Sequence, residues 1–132
     1  MKTRIVLMAA IVTTTIQFTI AEEPAKKFDT EEKKIAYAKK NLLSSLHSTN
    51  PGVIESAMRI TAQMKMRYQA ADVSELVNIM NKIWQGHPSG TMRYKAYIAM
   101  SICGNPEWYS NENTIAMAND ESFFKTASLP NA

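Results

Sequence analysis

Leu42-Leu43-Ser44-Ser45-Leu46-His47-Ser48-Thr49-Asn50-Pro51-Gly52-Val53-Ile54-Glu55-Ser56-Ala57 joins the end of one helical pattern to the start of another across a short polar break. Its opening leucines close a run in which Ile35, Ala38, Leu42, Leu43 and Leu46 recur at three- and four-residue spacing, the period of one face of an α-helix. His47, Ser48 and Thr49 interrupt that run. Asn50-Pro51 then starts a second helix. An Asn side chain accepts an orphan amide at a helix N-terminus, and proline lacks only an N–H that would have no partner there.

Working outward, the first helix is expected to begin at Asp29 or Thr30, where Asp29 and Glu32 have the spacing of a capping box. The second should run from Asn50 to about Tyr68 and bury Val53, Ala57, Ile60, Thr61 and Met64. A third is expected from Asp72, with Glu75 three residues on and a buried face of Leu76, Val77, Met80, Ile83 and Trp84. Gly86 should end it in the left-handed conformation common at helix C-termini. The fourth follows the Pro88-Ser89-Gly90 turn, carries Met92, Ala96, Ala99, Met100 and Cys103, and closes at Gly104. Asn105-Pro106 begins a short turn around Trp108 and Tyr109, and a weaker helical stretch spans Asn113 to Ala127 with Ile115, Met117, Phe123 and Phe124. No segment alternates with period two, so the predicted class is all-α.

The helices repeat. A shift of 39 residues lays Val53, Ala57, Ile60, Thr61 and Met64 on Met92, Ala96, Ala99, Met100 and Cys103, and a shift nearer 34 lays Leu42-Leu43 on Leu76-Val77. Periods in this range are those of armadillo and HEAT arrays. The expected architecture is antiparallel helix pairs stacked as two repeats of an α-α superhelix. Repeat one spans about 30–68, repeat two about 72–104, and a capping segment 105–127. The small side chains of Ala57, Ala96 and Ala99 suit close approach of the second helices.

On the residues from Leu42 to Ala57, and on Met92-Arg93-Tyr94-Lys95-Ala96-Tyr97 before Gly104-Asn105-Pro106-Glu107-Trp108, the chain resembles HEAT-repeat-like small exported bacterial proteins. The resemblance covers about residues 35–110. It implies a protein-binding scaffold and supplies no catalytic residues. The low repeat number and uneven spacing depart from a regular array and bear on whether an extended groove forms.

The amino terminus gives the expected compartment. Lys2 and Arg4 precede an apolar run, Ile5 to Ile20, that Thr13, Thr14, Thr15 and Gln17 dilute. A basic start, a short apolar centre and a small-residue exit at Thr19 and Ala21 are the parts of a cleavable secretory signal. Residues 1–21 are therefore expected to be removed and 22–29 to form a polar lead-in, with the protein periplasmic or extracellular and no integral membrane segment after cleavage. No Cys follows the run, so no lipid attachment is expected. The remaining 111 residues are enough for one modest domain. They carry 13 Lys and Arg against 12 Asp and Glu, so there is no electrostatic case for nucleic acid.

Chemistry is sparse in the pattern. Cys103 is the single cysteine and lies in an apolar stripe, where a buried free thiol is the ordinary outcome and an intermolecular disulfide the sharper one. No nucleophile elbow, phosphate loop, dinucleotide fingerprint or paired-histidine zinc motif occurs. His47 and His87 each follow the first helix of a repeat, where a cation suits the helix dipole. A metal site wants three or four ligands, and no third has matching spacing, so no metal and no cofactor are expected. Glu31-Glu32 with Lys33-Lys34 and Lys39-Lys40 read as a solvated helix face.

The remaining surface is the side of the second and fourth helices opposite their stripes. Met58, Arg59, Ala62 and Met66 lie there on one helix, and Tyr94, Tyr97, Ile98 and Ser101 on the other. Tyr, Met and Arg are enriched at protein interfaces, so Met58, Arg59, Ala62, Met66, Tyr94, Tyr97 and Ile98 form the expected partner-binding face. The competing reading folds the C-terminal segment over it. The function expected is an exported adaptor that binds another protein without catalysis. The alternative is a small exported enzyme or ligand carrier, which a deep pocket with convergent polar groups would favour. Intact-mass measurement of protein made in an export-competent host should give a chain beginning at Glu22; a mass that retains residues 1–21 would remove the signal from the reading.

Overall fold

Asn50 acts as its position suggests. In a computed structural model that describes residues 30–109 and 119–128, its backbone is extended and its side chain accepts the Gly52 amide at 2.9 Å. Pro51 follows as the first helical residue. The signal, the lead-in, the Asp29 cap, Ile115 and Met117 lie outside the described residues.

Among those residues the chain is all-helical, with no strand. The elements are α1 (Glu31–Leu46), α2 (Pro51–Arg67), α3 (Ser74–Gly86), α4 (Gly90–Gly104), a 3-10 turn (Pro106–Trp108) and α5 (Asp120–Ala127). No helix among them is long and apolar enough to cross a membrane. The chain divides into two compact units, residues 1–34 and 35–132. Of the first, the described part is Thr30 and the opening turn of α1, where the Thr30 hydroxyl accepts the Lys33 amide. The rest of α1 and all later helices belong to the second.

In that second unit α4 is the organising helix. It packs against both α2 and α3, while α5 and the 3-10 turn lie against α2 and α4. Helix separation is set by the side chains at the crossing, and Ala96 and Ala99 are fully buried on α4. Around them gather Met58 and Ala62 of α2, Leu76 and Met80 of α3, Ile102 of α4 and Phe123 of α5, in one cluster that Leu42 and Leu46 of α1 also join. Among the described residues Thr61 is the one buried polar residue of the core, and its hydroxyl donates to the Ala57 carbonyl at 2.7 Å. An unmade bond there would leave a desolvated polar group at a cost of about 1–3 kcal/mol.

Three local expectations change. Asp72 precedes α3 rather than capping a helix that starts there; its carboxylate accepts the Ser74 amide and hydroxyl, and α3 begins at Ser74. Gly86 is not left-handed, since no described glycine has positive φ. His87 stops α3 by turning extended, the conformation imposed on a residue before proline. The weak C-terminal stretch is helical over Asp120–Ala127, with Asn119 accepting the Ser122 amide as cap.

The buried arc of α2 is the larger correction. Val53 and Ile60, expected inside, are 39% and 40% exposed, while Ile54, Met58, Ala62 and Met66 are buried. A helix with neighbours on two sides buries a wide arc, and the 3.6 period does not state where its centre lies. Leu76→Ala should therefore destabilise the fold by about 2–5 kcal/mol in urea denaturation, because it empties a fully buried site. Val53→Ala should cost about 1 kcal/mol or less, because much of its side chain already meets water.

Candidate functional site

The α3–α4 hairpin is pinned before it displays anything. The Ser89 hydroxyl accepts the Met92 amide at 3.2 Å, and His87 Nδ1 accepts the Ser89 amide at 3.0 Å. The Arg93 guanidinium folds back and donates to the carbonyls of His87 and Pro88. Across this hairpin the rings of Trp84 and Tyr97 lie 5.8 Å apart at a 41° tilt. Tyr94 sits three residues before Tyr97, on the same side of α4. Trp84, Tyr94 and Tyr97 keep 42%, 51% and 48% of their surfaces exposed.

Half of the expected partner face is elsewhere. Met58, Ala62 and Met66 of α2 and Ile98 of α4 are buried, because α4 and α5 pack against α2 and α4 also packs against α3. Only Tyr94 and Tyr97 of that set are exposed. Arg59 is half-buried and forms an ion pair with Asp120 of α5, and its guanidinium also donates to Gln63 at 2.7 Å. Trp84, assigned from its spacing to the buried face, belongs with the exposed aromatics instead.

Asp120 is the hinge of the contact between α5 and α2. The Ser56 hydroxyl donates to it at 2.6 Å alongside Arg59. Burial alone would raise its pKa, but the bonds from Ser56 and Arg59, with the charges of Arg59 and Lys95, outweigh burial and hold it below its ordinary value. Nearby, Lys95 of α4 pairs with Glu55 of α2 at 2.5 Å and lies 5.5 Å from the centre of the Phe124 ring.

Two open clefts lie on the second unit. One, about 400 Å³, opens between α1 and α2 beside Leu42, Ser45, Val53, Ala57 and Ile60. The other, about 350 Å³, is lined by Lys65, Asp72, Ser74, Asn78, Met100 and Cys103. In the second, Lys65 donates to the carbonyls of Gln69 and Ala71, both at 2.6 Å. Burial pushes the Cys103 thiol up to about 12, offset only slightly by Lys65, so the nucleophilic thiolate is scarce at neutral pH. The Ser74 hydroxyl and amide hold Asp72 below its ordinary value. His47, whose Nδ1 lies 2.9 Å from the Leu43 carbonyl, and His87 are absent from the lining of either cleft. No cluster of three metal-ligating side chains occurs among the described residues.

No family model, curated protein or solved structure matches the chain.

The Asp120 contact has a pH signature. Its folded pKa lies below the ordinary 3.8, so the stability it contributes is present above about pH 4 and is lost as pH falls through the folded value. Denaturation midpoints followed from pH 7 to pH 2.5 should fall more steeply at the acid end in the wild type than in Asp120→Asn. Equal acid slopes would show that the carboxylate does not stabilise the fold.

Proposed function

We propose that this protein is an exported adaptor, built from two HEAT-like helix pairs, that binds another protein through the aromatic face of its α3–α4 hairpin. The repeat reading is supported by the packing of α2 against α4, the second helix of each pair, since equivalent helices of adjacent repeats stack in such arrays. Of the positions related by the 39-residue shift, Ala57 with Ala96 and Met64 with Cys103 are buried in both helices, while Val53 and Ile60 are exposed where Met92 and Ala99 are buried. The position of α5 and the 3-10 turn against α2 and α4 fits a capping role. Export rests on the amino-terminal pattern of residues 1–21.

The observation that carries the binding reading is the grouping of Trp84, Tyr94 and Tyr97 at the surface of a hairpin held rigid by its own capping bonds. Large aromatics supply contact area with few rotatable bonds, and tyrosine adds a hydroxyl for a polar partner group. Interface energy concentrates in a few such anchors. Both clefts are open, and the charged groups lining the second are engaged locally, Lys65 by the Gln69 and Ala71 carbonyls and Asp72 by Ser74.

Affinity capture of the mature chain from its own envelope fraction tests this. The wild type should retain a specific protein, and Tyr94→Ala combined with Tyr97→Ala should lose it while the melting temperature stays within a few degrees, since exposed substitutions change stability by about 0.5 kcal/mol each. Capture unchanged by the double variant would place the functional surface elsewhere.

A further inference from the structure

Asn50-Pro51-Gly52 and His87-Pro88-Ser89 are turns of the same form, each leading from one helix into the next. In the first, Asn50 Oδ1 accepts the Gly52 amide at 2.9 Å. In the second, His87 Nδ1 accepts the Ser89 amide at 3.0 Å. A side-chain acceptor that takes the amide two residues on is the bond that fixes an asparagine turn. An imidazole fills that role between α3 and α4. The two acceptors differ in charge behaviour: the asparagine oxygen remains an acceptor throughout, whereas histidine is the side chain that changes charge between about pH 5 and 8.

The bonds also fix where the protons are. A backbone amide only donates, so Nδ1 of His87 is bare and its ring proton sits on Nε2. At the end of α1 the reverse holds. His47 Nδ1 lies 2.9 Å from the Leu43 carbonyl, which only accepts, so this nitrogen carries the proton. Charging His47 adds a proton at Nε2 and leaves its bond intact. Charging His87 consumes the lone pair that holds Ser89, the residue whose hydroxyl caps α4 through the Met92 amide. It also creates a second cation on a residue whose carbonyl already receives the Arg93 guanidinium at 2.5 Å. The carboxylates of the helices packed around this hairpin are engaged or distant. Glu55 of α2 pairs with Lys95, and Asp120 of α5 with Arg59. Asp72 and Glu75 stand at the far end of α3, Glu107 lies beyond the far end of α4, and Lys82, five residues before His87, is a further cation.

We propose that His87 is a proton-operated latch on the α3–α4 hairpin. Neutral, it holds the turn in which the aromatic face is rooted; charged, it releases the Ser89 amide and loosens the start of α4, on which Tyr94 and Tyr97 follow within two turns. The aromatic face is therefore held firmly at neutral pH and loosely in acid. The latch consists of the turn's own bonds, so it stands whether or not that face binds a protein.

The test is an NMR titration of the full chain from about pH 8 to about pH 5. At the alkaline end the His87 ring should carry its proton on Nε2 and the His47 ring on Nδ1. As His87 becomes charged, protection of the Ser89 amide, corrected for the intrinsic pH dependence of exchange, should fall at least about threefold, the size of one net hydrogen bond. The Trp84, Tyr94 and Tyr97 ring signals should shift with the same midpoint. His87→Asn supplies a non-titrating acceptor of the kind Asn50 provides, so it should keep Ser89 protected in acid and abolish the coupled ring shifts. His47→Gln should leave both responses in place. The latch is overturned by a His87 proton on Nδ1 at neutral pH, by Ser89 protection that does not change across the titration, or by a response that persists in His87→Asn or disappears in His47→Gln. A Ser89 response without ring shifts would confine the proton's effect to the turn and overturn its link to the aromatic face.

Discussion

The close approach of α4 to both α2 and α3 is the constraint on which the rest of the second unit depends. Ala96 and Ala99 present almost no side chain at that crossing, and both are fully buried. Larger residues there would hold the helices apart and leave Met58, Leu76, Met80 and Ile102 without the neighbours that fill the space around them. Packed interiors tolerate such gaps poorly, because dispersion contacts and excluded water are lost together.

Placing α4 between two partners also determines what is left outside. Its buried arc carries Met92, Ala96, Ile98, Ala99, Ile102 and Cys103, and the arc that remains holds Tyr94 and Tyr97. Trp84 joins them because it stands on the shoulder of α3 beside Tyr97. The aromatic face and the inert thiol are thus products of one packing decision. The same rotation that buries Cys103, and so raises its pKa, turns the tyrosines outward.

The polar contacts divide into those that hold a loop and those that hold a helix. Arg93 and the cap of Ser89 stiffen the hairpin that bears the aromatic face. Arg59, Ser56 and Asp120, with Glu55 and Lys95, fasten α5 to α2 and α4. These groups are partly exposed, and ion pairs in that setting contribute modestly. They direct where α5 sits, while burial of Phe123 and Phe124 supplies most of the attraction.

The helical class, the start of α2 at Asn50-Pro51, the Ser89 turn, and the burial of Leu76, Met80, Met92, Ala96, Ala99 and Cys103 were legible in the sequence, because capping and the 3.6 period are local; the sides taken by Trp84 and Ile98 were not. Tyr94 and Tyr97 were placed at the surface and are exposed, while Ile98, read on the same side, is buried, because α4 is apolar around much of its circumference and its neighbours decide the buried arc. The orientation of α2 was not legible. Its apolar side chains are spread over a wide arc, and the packing of α4 and α5 against it decides that Met58 and Met66 are inside while Val53 and Ile60 meet water. The pairing of Arg59 with Asp120 spans 61 residues, and no local pattern encodes a contact at that separation. Local capping and periodicity settle which segments become helices and roughly where they begin; which face of each helix is core is settled only by packing, because burial depends on the neighbours that lie against it.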